Sequence, residues 1–300
     1  MFSFSISAEE YCLTLNLKED DVFEYDINVE TEMGYNIMGL EFSFKQVMEI
    51  EALMTVLDKQ NDNYQLEMEV IDGNTYFSEF SFPDFIEQEQ EQEIDLDELN
   101  QELKEFNENL KDYRFNLTVS ATGEIIDSEF DYETIKTTIP EAESQEQMEI
   151  FEETIFNDQL LTKSLEHNFL HIPEEPVKLS DNWTKSISVD TIINMDFINE
   201  YTLKDVSNEE IILELKGDIE TVLLDDEHLF GTSESEEMDL DFSGTSEGKI
   251  ILNPQNNWIR EFSEKSSMEG NIIIIEPEMN QEFQIPFYTK INTQITSNKK

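Results

Sequence analysis

His167 and His171 stand four residues apart with Glu166 beside them, a spacing that sets two imidazoles on one helix face as zinc ligands would need. The order is not His-Glu-x-x-His, Pro173 stops any helix just beyond, and no third ligand follows. The pair therefore reads as a helix C-terminal feature, where histidine is electrostatically favourable. His228 lies in an acidic stretch and reads as solvated. Cys12 is alone, which excludes an intrachain disulfide and a cysteine-based zinc site, and no neighbouring histidine would activate its thiol. Asp95-Leu96-Asp97-Glu98 and Asp239-Leu240-Asp241 are calcium-like in composition but lack the glycine and spaced terminal glutamate of a calcium loop. Carboxylates are so numerous that nearness alone says little; a glycosidase would need two in an apolar cleft with separated pKa values. A glycine-rich phosphate loop, a nucleophile elbow and a dinucleotide fingerprint are all absent from the sequence. The expectation is a protein that is not an enzyme, with no catalytic, cofactor or metal residues.

What remains is apolar chemistry. Phe42, Phe44, Met48, Met54 and Met68 fall on one face of two neighbouring strands, and methionine adapts to irregular ligand shapes. These five are the candidate lining of a site for a hydrophobic small molecule.

The elements that must position them are mostly strands. The period of two in Tyr11, Leu13, Leu15 and Leu17, and again in Phe23, Tyr25, Ile27 and Val29, predicts a hairpin across the charged turn at 18–21. A strict alternation at Met48, Ile50, Ala52, Met54 and Val56 makes 44–57 a strand, paired with Tyr64, Leu66, Met68 and Val70 across Gln60-Asn61-Asp62-Asn63, whose Asn and Asp residues tolerate positive φ. Leu96, Leu99, Leu103, Phe106 and Leu110 predict a helix near 95–110, and Ile150, Phe151, Ile155, Leu160, Leu161 and Leu165 predict a second over 148–169. Further strands are expected after Trp183, at 197–203, 211–215, 249–252, 258–262, 272–275 and 283–295, with 225–241 as an exposed acidic loop. Trp183, just past the turn set by Pro173, Pro176 and Asp181, is expected to be buried. The reading is an α+β fold, mainly curved antiparallel β-sheet of half-barrel type with two helices. A β-rich half at 9–139 and another at 177–296, weak copies of each other, are joined by an acidic linker, helix and proline hinge at 140–176.

Charge narrows the function classes. Asp and Glu number 70 against 18 Lys and Arg, a formal net charge of −52, while 38% hydrophobic residues and 21 Phe supply a core. Such a field repels nucleic acid and anionic membrane surfaces and draws diffuse cations. The start, MFSFSISAEEYC, has no basic region and no run long enough to span a membrane, though its apolar, hydroxylated residues suit the tail of a trimmed signal.

Ile172-Pro173-Glu174-Glu175-Pro176-Val177-Lys178-Leu179-Ser180-Asp181-Asn182-Trp183 resembles the P-x-x-P-V-x-x-G-D-x-W turn of an uncharacterised bacterial family of exported proteins, often lipoproteins. Leu15 to Tyr25 is similar to that family's L-x-L-K-x-G-D-x-Y-x-Y opening, with Asp20 and Ser180 standing where the family has glycine. The resemblance implies a periplasmic or cell-surface location, against a cytoplasmic one, and transfers no functional residue. By looser likeness, curved strands with helices resemble periplasmic lipoprotein carriers that hold acyl chains in a half-barrel. The leading expectation is thus a non-enzymatic envelope protein that binds a hydrophobic molecule or an envelope partner. A highly acidic structural or cation-binding surface protein is the alternative, and a carboxylate hydrolase the third.

The net charge makes a first prediction. Self-repulsion opposes folding and is screened over about 10 Å at roughly 0.1 M salt. Melting temperature rises as sodium chloride is added, and calcium at matched ionic strength adds no more; a calcium-specific rise of many degrees would show dedicated sites instead.

Overall fold

In the computed structural model, the described residues are 9–81, 100–130 (except 102, 105, 106 and 109), 162, 165, 166, 172–189, 194–222, 237–276 and 281–300. They build eleven strands in one antiparallel sheet: β1 (Val22–Ile37), β2 (Leu40–Gln60), β3 (Asn63–Ser81), β4 (Arg114–Ser120), β5 (Ile125–Glu129), β6 (Asn182–Val189), β7 (Asn194–Val206), β8 (Ile211–Val222), β9 (Glu237–Leu252), β10 (Ile259–Glu276) and β11 (Gln281–Lys299). Their spatial order is β5-β4-β3-β2-β1-β11-β10-β9-β8-β7-β6, so every neighbour but one is a neighbour in sequence and the exception, β1 against β11, joins the two runs.

This corrects the α+β expectation. The protein is nearly all β, because the six central strands run to between 16 and 21 residues where short ones were expected. Residues 237–241, expected in a loop, are strand, and β11 starts before Phe283 and ends at Lys299. Among the described residues, helical backbone is limited to scattered positions within 100–110 and 162–166, none amounting to a named element. The rest of the two expected helices, the linker over 140–147, and His167, His171, His228 and Asp95 to Glu98 lie outside the described residues. The helical positions have an edge role: the Asn100 side chain bonds both the amide and the carbonyl of Phe77, at 2.8 and 3.0 Å, and the Asn107 amide donates to Thr75 O at 3.1 Å. They occupy the β3 edge beyond the reach of β4, where unpaired backbone would otherwise be open.

A second correction concerns 11–17. This stretch has strand periodicity but forms no hairpin with β1, which pairs with β2 and β11. Instead it crosses between the two runs of strands. Tyr11 bridges Val177, Leu15 N bonds Ala121 O at 2.8 Å, and Asn16 N bonds Asn256 O at 2.9 Å, while Leu13, Leu15 and Leu17 are buried. Together with Ile172 and Val177 it seals one end of the curled sheet, and residues of β1–β5 and of β7–β11 share one core there. Nearby, Lys185 on β6 reaches Glu124, in the turn before β5, at 3.7 Å.

The two runs share their local geometry. Before β1 the Lys18 amide bonds the Asp21 carboxylate at 3.2 Å and Asp20 N bonds Val56 O at 2.9 Å; before β6 the Lys178 amide bonds the Asp181 carboxylate at 2.8 Å and Ser180 N bonds Leu203 O at 2.8 Å. Asp20 and Ser180 take φ of 66° and 72°, which is why a glycine suits those positions. Each run then carries a bulge at the matching place, between Val56 and Asp58 and between Leu203 and Asp205. The turn at Asn61 and Asp62, with φ of 51° and 73°, is the tight two-residue hairpin its residues demand.

Of the two tryptophans, Trp258 is the buried one, at 2% exposure. Its indole Nε1–H donates to Tyr25 Oη at 2.6 Å and its ring lies 5.6 Å from Phe23, tying β1 to the end of the β9–β10 turn. Trp183, expected to be buried, is only partly so and stacks on Tyr201 at 5.8 Å near the open edge. Trp258→Ala is accordingly expected to cost about 3–5 kcal/mol and Trp183→Ala markedly less. Urea midpoints of the two variants check this, and equal losses would refute it.

Candidate functional site

Cross-strand partners share a face, so the register assigns each side chain to one side of the sheet. Odd positions of β1 and even positions of β2, β9 and β10 point inward, to the side that holds the core. The inward face divides into three bands along the strands.

The first band is the closed core at the sealed end, with Phe23, Met54, Val56, Tyr64, Leu66, Leu203, Leu213 and Leu252 almost fully buried. The third band, at the far end, is aromatic and only partly covered. One transverse row of it runs Phe42, Tyr35, Phe287, Gly270, Phe242 across β2, β1, β11, β10 and β9. Gly270 is bare for a reason: a Cβ there would stand 2.0 Å from Asp241 O and 2.5 Å from the Phe242 ring, and without it Phe242 and Phe287 approach to 5.1 Å. Tyr35 stacks on Phe42 at 5.1 Å, and Phe44, Phe77 and Phe80 form a cluster with centroids 5.2 to 5.8 Å apart. Ile272 and Ile274 continue the surface, and Phe283 is 40% exposed.

Between these lies a polar band. Asn199 of β7 and Ser246 of β9 both pair with Gly217 of β8, and Ser246 pairs with Ser266 of β10. The adjoining rows hold Tyr201, Leu215, Gly248, Glu264 and Thr293 on one side and Ile219, Gly244, Met268 and Thr289 on the other. Asn199, Ser246, Glu264 and Thr289 are at least nine-tenths buried. Both amide atoms of Asn199, the Ser246 hydroxyl and the Thr289 hydroxyl have no hydrogen-bond partner; Asn199 lies beside the Tyr201 hydroxyl without reaching it in bonding geometry. Burial, then the Glu264 charge, pushes the Tyr201 hydroxyl above its ordinary range, so it stays protonated. The Ser266 hydroxyl donates to Glu264 Oε1 at 3.4 Å.

The five sequence-derived lining residues all face inward, but the bands separate them. Met54 and Met68 are directly paired and packed in the core, whereas Phe42, Phe44 and Met48 lie beyond it, partly buried. The polar band escaped the sequence reading. Its signal is a break in parity: Asn199 within Phe197 to Leu203, Gly217 within Leu213 to Ile219, and Glu264 and Ser266 between Phe262 and Met268.

The outward face carries a groove of about 570 Å³ with Lys45, Lys216, Lys265 and Lys290 among its walls. Glu30, Glu32, Asp218 and Glu247 stand among them, with Lys45 bridged to Glu30 at 3.4 Å and Lys290 to Glu32 at 2.9 Å. With as many carboxylates as lysines this is a ladder of cross-strand ion pairs rather than a site of one sign. Among the described residues, no group of three or more His, Cys, Asp or Glu could hold a metal ion, and no helix is long and apolar enough to cross a membrane.

Residues 61–259, more than half the chain, match a family of unknown function, DUF6263. The chain belongs to that family. Its match spans most of both runs of strands, from the β2–β3 turn to the start of β10. No curated protein matches the chain. Among solved structures, the fold is similar to part of lipovitellin, from work on lipid–protein interactions, at 10% identity and a TM-score of 0.45, covering 93% of this chain and 25% of that one. The chain therefore spans about a quarter of the length of that relative. An outer membrane channel from Pseudomonas putida F1 matches at 6% identity and a TM-score of 0.24, covering 95% of this chain and 98% of the other. The translocator domain of the autotransporter NalP from Neisseria meningitidis matches at 5% identity and 0.19, over 94% and 90%.

The bare amide of Asn199 makes its own prediction. Removing a buried polar group that has no partner relieves its desolvation, worth about 1–3 kcal/mol, so Asn199→Leu raises the denaturant midpoint of the ligand-free protein. A lowered midpoint would mean that the amide is satisfied.

Proposed function

We propose that this member of the family is a non-enzymatic binding protein for an apolar molecule, held on the inward face beyond the core. The observation that carries the reading is the aromatic row Phe42, Tyr35, Phe287 and Phe242, backed by Phe44, Phe77 and Phe80. It continues the face that packs the core, yet its side chains, Phe242 apart, keep part of their surface open. Monomeric proteins seldom leave a contiguous aromatic surface uncovered without a use for it. Concave, mostly apolar surfaces with few polar groups are the usual form of small-molecule sites. The closed core supplies stability, so the aromatic end need not be packed for the fold to stand. An envelope location, suggested by the sequence resemblance to exported proteins, belongs to the same reading, because extracytoplasmic carriers of apolar molecules shield their cargo from water.

The neutral fluorophore N-phenyl-1-naphthylamine tests this directly. Binding with enhanced emission is expected, together with a retained apolar ligand in native mass spectrometry of protein prepared without detergent. Phe44→Ser and Phe287→Ser each weaken the affinity by about tenfold, the effect of losing about 1.4 kcal/mol of contact. An empty protein that leaves the dye dark would refute the reading, as would undiminished binding in both variants.

A further inference from the structure

We infer that the polar band is the headgroup end of the same site, and that the ligand is a neutral amphiphile bearing hydroxyl groups, of the acylglycerol or alkyl glycoside kind. The inference rests on the apolar reading above and deepens it.

Three features lead there. The first is desolvated polarity without partners: Asn199 offers a donor and an acceptor, and Ser246 and Thr289 a hydroxyl each, all inside the sheet and unbonded. Groups of this kind burden the fold unless something in the functional state bonds them. The second is relief built from glycine. Gly217, Gly244 and Gly248 occupy inward positions between the polar ones. At Gly217 a Cβ would stand 2.3 Å from Asn199 Oδ1 and 2.4 Å from Ser246 Oγ, so only glycine lets these two atoms converge from opposite sides of β8. The third is position, since one row beyond Ser266 come Met268 and Thr289, and one row further begins the aromatic surface. A molecule with its chain on Phe287 and Phe242 brings its head to Asn199, Ser246 and Ser266.

The chemistry of the band selects the head. Its members are an amide, hydroxyls and the Glu264 carboxylate, and the Tyr201 hydroxyl beside it is protonated. Lys185, the cation at the edge of the Asn199 row, is bridged to Glu124. A phosphate or carboxylate headgroup would thus meet a buried negative charge with no spare cation among the described residues, whereas hydroxyls donate to Glu264 and Asn199 and accept from the amide, Ser246 and Thr289.

Displacement of N-phenyl-1-naphthylamine by monooleoylglycerol and by ionised oleate, which share one chain, tests the headgroup separately from the chain. Monooleoylglycerol is expected to bind at least about tenfold more tightly than oleate to the wild type. Asn199→Leu and Ser246→Ala should each shrink that preference, read as the ratio of the two displacement constants within one variant. Ser246→Ala guards against a folding defect in the larger replacement. Equal affinity for the two lipids in the wild type, or a full preference kept in both variants, would overturn the headgroup assignment and leave the apolar reading standing. A protein that binds neither the dye nor either lipid would overturn both.

Discussion

The sheet depends on the pairing of β1 with β11, a continuous antiparallel register from Phe23 opposite Lys299 to Tyr35 opposite Phe287. All other ladders link strands that follow one another in sequence and can form locally. This one closes a loop of more than 250 residues, so it forms against the largest loop-closure entropy in the molecule. What secures it is concentrated at the sealed end. Tyr25 on β1 accepts from the Trp258 indole, and the Ser297 hydroxyl on β11 donates to Ile259 O on β10 at 2.5 Å, all in the buried interior. The crossing stretch at 11–17 adds bonds to both runs of strands at once. With the seam anchored at one end, the far ends of the long strands are fixed by register alone, and they present the aromatic row in line across five strands.

A single sheet has two faces and water must be kept from one. Here the outward face takes the charge, with lysines of β2, β7 and β11 reaching carboxylates on the neighbouring strands β1 and β8, and its ion pairs are exposed and individually weak. Their value lies in keeping a very acidic surface from folding inward: outward positions of β1 are Glu24, Asp26, Asn28, Glu30 and Glu32, and a register slip of one residue would bury them all. The charge that looked like a clue to function thus acts first as a specification of which side is in.

Much of this was legible. Strand periodicity placed β2 and its turn into β3, because Ala52, Met54 and Val56 alternate and Asn61-Asp62 can take left-handed φ. The inward orientation of Phe42, Phe44, Met48, Met54 and Met68 followed from parity. Two things misled. Period two in Leu13, Leu15 and Leu17 reports alternate burial, which a crossing segment achieves as well as a ladder does, so the hairpin was the wrong inference. In β9, β10 and the ends of β3, charged and small residues such as Asp241, Gly244, Ser246, Asp72 and Gly73 dilute the apolar pattern, so long strands looked like loops. Division of the five candidates into core and surface depends on where residues 11–17 and 172–177 lie, and no local pattern states that.

The polar band was illegible for a related reason. Each of its members, met singly in sequence, looks like an ordinary surface residue, and only the register makes Asn199, Ser246 and Glu264 neighbours on the inside. Gly217 is the decisive member because it lacks a side chain. An alanine there would separate Asn199 from Ser246, and a leucine would extend the core through the band into the aromatic surface. The chain instead keeps a stripe of desolvated polar atoms between two apolar regions, against the preference of a sheet interior for uniform packing. Sequences depart from local consistency where function demands it. An inward face that is apolar, then polar, then aromatic is the complement that the proposed amphiphile requires, with the closed core as the wall behind its head.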